Sequence, residues 1–298
     1  MMNRRNFIET TSMFGAMAIL PIPNFSKIAG PKFKMGYQLY SIRDEMAKDP
    51  IATLKTLKGM GYQDFEMYGY NAVQNMIYGF QPKELKQILD DMNLTITSGH
   101  YGFAPYLDKS EDDLKRFVDQ CITAAKTLNN KYIVWPVIAQ EQRTIEYYKV
   151  MAGMLNLIGE QVEASGLGFA YHNHGFEFED HNGENAFDII IKRTDPALVK
   201  FELDMYWLKH STDLSFSEFV KQHKGRVVMW HIKDMDKVTR DYTELGNGLI
   251  DYAKLLPDPI ESGLEYYYLE QGGNYTINST NSAALNAAYC KKYLMKSL

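Results

Sequence analysis

From Lys34 onward, strand-like and helical stretches alternate eight times, and few architectures accommodate that rhythm. Candidate strands run Met35–Ser41, Tyr62–Tyr68, Leu94–His100, Tyr132–Val137, Leu167–His174, Val199–Tyr206, Val227–Lys233 and Leu264–Gln271. Between them lie amphipathic stretches. Leu85, Ile88, Leu89 and Met92 mark one helical face, and Leu114, Phe117, Val118, Cys121, Ile122 and Ala125 mark another. Asp49-Pro50 and Gln81-Pro82 read as helix starts with Pro at the first helical position, and Gly61 and Gly166 fall where C-caps belong. Units of roughly 30 to 40 residues, repeated eight times, match a (β/α)8 barrel in count and in total length. A doubly wound open sheet would announce a Gly-rich phosphate turn after its first strand, and Tyr37–Asp44 contains none. With no Pro- or Ser-rich linker, the expectation is an α/β chain with one domain, a TIM barrel over residues 31–298, closed by a helix at Ser282–Met295.

The first 30 residues read differently. Asn3-Arg4-Arg5-Asn6-Phe7-Ile8 resembles a twin-arginine export signal, followed by an apolar run, Thr11–Pro23, too short to span a bilayer permanently. Residues 1–30 are therefore expected to be a removable signal, the mature protein exported to the periplasm without a permanent membrane anchor. A net charge of −5 and the lack of a basic cluster argue against a nucleic-acid partner, because phosphate backbones demand concentrated Lys and Arg. Cys121 and Cys290 are far apart on helical patterns, so neither a disulfide framework nor a zinc knuckle is indicated.

In such barrels catalytic groups stand at the C-terminal ends of strands. His100, His172, His174 and His231, four of seven histidines, fall there. On the fifth strand Gly168, Ala170, His172 and His174 share a face, and the loop beyond carries Glu177. On the sixth, Lys200, Glu202, Asp204 and Tyr206 share a face, and a buried strand bearing carboxylates needs a counter-charge that a divalent cation supplies well. The seventh aligns His231 with Lys233, and the eighth ends in Leu269-Glu270-Gln271. Imidazole with carboxylates suits one ion of Mn²⁺, Zn²⁺, Co²⁺ or Mg²⁺. Gly246-Asn247-Gly248 reads as a turn, with backbone approach to a phosphate as the sharper alternative.

YHNHGFEF at 171–178, FELDMYW at 201–207, HIKD at 231–234, LGNGLIDY at 245–252 and LEQGG at 269–273 jointly resemble the sugar phosphate isomerase/epimerase superfamily. That is the xylose-isomerase-like TIM-barrel group, including inosose isomerases and dehydratases, hydroxypyruvate isomerases and ketose 3-epimerases. The resemblance covers essentially everything after residue 33 and implies one divalent metal held by Glu, Asp, His and Glu from strands five to eight. Asp204, His231 and Glu270 match the last three places. Where many relatives have Glu-Asn-His this chain has His172-Asn173-His174, so either His172 is the ligand and Glu177 faces substrate, or Glu177 folds back to ligate.

The implied substrate is a small carbohydrate. The metal polarises an α-hydroxyketone toward its enediolate, Glu270 or Glu177 takes the proton, and His174 or Lys233 donates to an oxygen. Glu66, His100, Tyr206 and Trp207 are candidate sugar contacts. Returning the proton elsewhere makes an isomerase or epimerase of a sugar or polyol ketone. Expelling a β-substituent instead makes a lyase, dehydratase or hydrolase of a 3-keto-sugar or inosose. Imidazole in place of the fifth-strand carboxylate favours that second outcome. A DNA-cleaving endonuclease IV would need a trinuclear zinc cluster and a DNA-binding surface, neither of which is legible here. Retention of Asp204, His231 and Glu270 together weighs against a non-catalytic sugar-binding barrel.

Overall fold

The computed structural model of the chain describes residues 33–298. Its frame is eight strands: β1 (Gly36–Gln38), β2 (Asp64–Met67), β3 (Thr95–His100), β4 (Tyr132–Trp135), β5 (Gly168–His172), β6 (Lys200–Asp204), β7 (Val227–Ile232) and β8 (Tyr266–Leu269). All pair in parallel, each with its neighbours in sequence, and β1 closes the ring on β8. Every crossover carries helix, as a parallel connection requires. The α/β expectation of one (β/α)8 barrel is met.

Local chemistry sets the helix ends. Asp49 accepts from the Ala52 amide at 2.9 Å, Pro50 opens the helix Pro50–Met60, and Gly61 ends it at φ +99°. Gly166, at φ +83°, follows the helix Ile145–Ala164. The final helix begins earlier than the sequence suggests, at Ser279, because Asn278 caps it by accepting from Asn281 at 2.8 Å. It ends at Tyr289 in a wider turn, Cys290–Leu294.

Every strand but the third stops one to three residues short of its expected end, and two of these endings have consequences for the site. The sixth ends at Asp204 rather than Tyr206, since Asp204 accepts from the Trp207 amide at 3.0 Å and caps a helix over Met205–Ser211. The fifth ends at His172, where the chain turns so that the His174 amide donates to Glu177 at 2.8 Å.

Alternate strand residues such as Phe65, Ile133, Tyr171, Leu203, Trp230 and Leu269 pack outward into the core between sheet and helices. Inward, Tyr132, Val134, Ala170, Val228, Met229 and Tyr268 form a separate apolar cluster that plugs the barrel. One step further toward the strands' C-terminal ends the interior turns polar, with Gln38, Glu66, Ser98, His172, Glu202, Asp204, His231 and Glu270 all buried. Both cysteines are buried and free. Among the described residues no helix is long and apolar enough to cross a membrane. The export-signal reading falls on residues outside those described.

Candidate metal centre and substrate cleft

Strand ends bring the polar groups together. His172 and Asp204 are the last residues of β5 and β6, His231 is the penultimate residue of β7, and Glu270 directly follows β8. One ligand atom from each of these four buried residues lies within 4.8 Å of every other. Nε2 of His172 faces Oδ2 of Asp204 at 3.7 Å, and Nδ1 of His231 faces Oε2 of Glu270 at 2.6 Å. The Lys233 ammonium sits between the two carboxylates, 2.5 Å from Asp204 and 2.6 Å from Glu270.

The opposite ring nitrogens are held from below. Nδ1 of His172 lies 3.0 Å from Oε2 of Glu202, and Nε2 of His231 lies 2.6 Å from Oε2 of Glu66 and 3.2 Å from Oε2 of Glu202. His100 joins the same carboxylates through Nε2, at 2.8 Å from Glu202 and 3.0 Å from Glu66. Glu66 in turn accepts from Gln38 at 2.7 Å and from Ser98 at 2.6 Å. A carboxylate on the far nitrogen of an imidazole fixes its orientation and tautomer, which is how ligating histidines are commonly held. His100, His172, Glu202 and His231 also converge as a lower quartet. Glu202 is fully buried, whereas Glu270 lines the cleft, so the upper quartet is the one substrate can reach.

Two imidazole nitrogens and two carboxylate oxygens fit a divalent transition ion. Charge points the same way: Asp204 and Glu270 share the Lys233 ammonium, while Glu66 and Glu202 pair with imidazoles beneath them. Oδ2 of Asp204 accepts no well-formed hydrogen bond and meets the Lys233 ammonium as an ion pair, and Oε1 of Glu202 has no partner among the described residues. Burial would lift Glu270, but Lys233 and His231 outweigh it and hold the carboxyl well below its usual range. His172 lies well below the ordinary imidazole value, through burial first and then the neighbouring rings, so it stays in the neutral form that ligates. Burial and Lys233 also bring His174 down, to about 3.

Above the quartet opens a cleft of about 570 Å³. Its polar side is His100, His172, His174, Lys233 and Glu270, and its aromatic side is Tyr40, Tyr68, Tyr70 and Tyr242. The four tyrosines were not legible as a group, because nothing distinguishes them from the other 17 of the chain's 21. Tyr242 is delivered by a short antiparallel pair, Asp234–Met235 with Tyr242–Thr243, that leaves no sequence signature.

Several expected contacts fall elsewhere. Glu177 lies outside both the quartet and the lining of the cleft: it is fully buried, accepting from the Tyr171 hydroxyl at 2.6 Å and the His174 amide at 2.8 Å. Glu66 is not part of the cleft lining and lies below the quartet with both oxygens engaged. Tyr206, rotated away by the helix that Asp204 caps, donates to the Arg240 carbonyl at 2.8 Å. Trp207 lines a neighbouring depression rather than the central cleft. The Gly246-Asn247-Gly248 amides offer no phosphate cradle, because Asp234 already accepts from Gly246 at 2.9 Å and Gly248 at 3.1 Å.

The profile of the xylose isomerase-like TIM barrel family matches residues 54–258. The chain belongs to that family. No curated protein matches it in sequence. Among solved structures, this xylose isomerase-like barrel is similar to a sugar phosphate isomerase/epimerase from Parabacteroides distasonis, with 26% identity over 91% of this chain and 96% of the other, at a TM-score of 0.77. It shares its fold with an IOLI protein solved with a bound zinc atom, at 16% identity, 88% and 99% coverage and a TM-score of 0.66. A 3-keto-D-glucoside 4-epimerase from E. coli has the same fold, at 16% identity, 88% and 100% coverage and a TM-score of 0.65.

Proposed function

We propose that this xylose isomerase-like barrel is a divalent-metal-dependent isomerase or epimerase of a keto-sugar or polyol ketone, with His172, Asp204, His231 and Glu270 as the metal ligands. The observation carrying this reading is the convergence of those four ligand atoms within 4.8 Å at the base of a tyrosine-walled cleft. A bound divalent ion supplies Lewis acidity toward a carbonyl and its neighbouring hydroxyl, making the adjacent C–H acidic. Glu270, poised between His231 and Lys233, is the candidate acceptor of that proton. Lys233 is the candidate donor to the oxygen, with the neutral His174 imidazole on the same wall as a second hydrogen-bonding group toward it. The tyrosine faces hold the sugar ring, and the plugged barrel beneath excludes water.

A lyase or hydrolase outcome on a 3-keto-sugar is supported by one feature, the imidazole of His172 where a paired carboxylate would make acid and base interchangeable. The E. coli fold neighbour acts, by its description, on a 3-keto-glucoside, which suits either outcome. Export belongs to the same proposal, resting on the Arg4-Arg5 segment.

The decisive experiment incubates metal-loaded protein in D₂O with a panel of keto-sugars and inososes. Deuterium should enter at carbon next to the carbonyl, and the products separate isomerase from lyase. Asp204→Asn should lose both bound metal and exchange; full retention of both would falsify the ligand assignment.

A further inference from the structure

Within His172-Asn173-His174 the two imidazoles have places in the site, and the carboxamide between them has none so far. Asn173 is buried, is not part of the cleft lining and reaches across to β6. β5 and β6 pair as far as His172 opposite Glu202. β5 ends there, whereas β6 runs on to Asp204. Beyond the last pair the Asp204 N–H donates to Oδ1 of Asn173 at 2.9 Å, and the Asp204 carbonyl lies 3.4 Å from Nδ2 of the same side chain. A carboxamide carries the donor and the acceptor of a peptide group, so the Asn173 side chain stands in for the strand that has turned away.

The carboxylate of Asp204 is divided in a way that depends on this hold. Oδ1 accepts from the Trp207 amide at 3.0 Å as the helix cap, which leaves Oδ2, 3.7 Å from Nε2 of His172, to face the quartet. Nδ2 of Asn173 also lies 3.4 Å from the His174 carbonyl, and the amide of His174 is held by Glu177 at 2.8 Å. One buried side chain thus ties a proposed ligand on β6 to a cleft residue that follows β5. An Asp here would set an oxygen against two carbonyls, and a Leu would fill the space with no polar atom at all.

We infer that Asn173 is a positioning residue for the metal centre: it sets the Asp204 carboxylate in the quartet without itself ligating. This rests on the reading of His172, Asp204, His231 and Glu270 as ligands and adds the group that fixes one of them in place.

The test titrates full-length protein with Co²⁺, whose visible absorption bands report the ligand set. Partners that orient metal ligands are commonly worth about 10- to 100-fold in metal affinity, and Asn173→Ala should lose that much. At saturating Co²⁺ its visible bands should also differ from the parent's, because a displaced carboxylate changes the field at the ion. Unchanged affinity overturns the positioning role, and so does weaker binding with the parent's spectrum, which marks a contribution to folding alone. If the alanine variant does not fold, Asn173→Leu, close in volume and lacking the amide, is read by the same two criteria. A parent without saturable Co²⁺ uptake overturns the ligand assignment on which the inference stands. A parent that binds beside an unaffected variant overturns the role of Asn173 alone.

Discussion

His172 and His231 each use both ring nitrogens, one toward the upper quartet and one toward a buried carboxylate. Glu202 and Glu66 therefore orient the proposed ligands without themselves reaching the cleft. Glu202→Gln keeps volume but removes the charge facing three imidazoles. It should weaken metal binding about 10- to 100-fold, as loss of such outer partners commonly does, measured by competition with a chromogenic chelator. Unchanged affinity would mean that Glu202 orients nothing. Lys233 acts in the opposite sense, because its ammonium occupies the same two carboxylate oxygens that a cation would use. Lys233→Met should tighten metal binding while slowing turnover. A variant that binds metal more weakly would show the ammonium to be part of the holding frame instead.

At the scale of elements, the loops after β5 and β7 are built around internal carboxylates. Asp234 accepts from the amides of Met235, Gly246, Gly248 and Ile250 at 2.8, 2.9, 3.1 and 3.0 Å, folding the segment that carries Tyr242 over the cleft. Asp234→Ala strands these donors and should cost about 2–4 kcal/mol in urea unfolding. A Cβ on Gly248 would stand 2.2 Å from Asp234 and 2.3 Å from the Met235 carbonyl, whereas one on Gly273 meets nothing within 4 Å. Gly248→Ala should accordingly lower the melting temperature clearly more than Gly273→Ala, and equal effects would contradict this packing. Glu177 plays the matching part after β5, tying Tyr171 to the His174 amide.

Across the whole molecule, the two ends of the barrel carry opposite electrostatic designs. The C-terminal end gathers carboxylates around cations, while at the other end Asp64 is buried with no ion pair among the described residues, accepting from Thr95 at 2.6 Å and from Thr97. Burial pushes Asp64 up to about 6, with the threonine hydroxyls and Lys34 pulling the other way. A carboxyl raised above its unfolded value stabilises the fold fully below that value and loses the contribution as pH rises through about 6. Asp64→Asn should therefore match the parent at pH 4 and be more stable at pH 8, by about 2–3 kcal/mol, read as a melting temperature several degrees higher. A parent that melts equally or higher at pH 8 would show Asp64 to be better satisfied than its surroundings indicate.

Periodicity was enough to define the barrel, since eight alternations of strand and helix leave one closed parallel solution, and the strand ends named His172, Asp204, His231 and Glu270 as neighbours. Local pattern also announced the helix caps at Asp49, Gly61 and Gln81, because those depend on nearest neighbours in the chain. What side chains do beyond a strand's end was not legible there. Whether Asp204 would terminate its strand and swing Tyr206 away, whether Glu177 would fold outward onto Tyr171, and whether Glu66 would lie beneath His231 depend on partners 30 to 165 residues distant, or on a turn that competes with an extended strand. Alternation assigns a face, but only closure of the ring sets the depth of a side chain along the barrel axis. That depth separates a group that touches substrate from one that steadies a ligand.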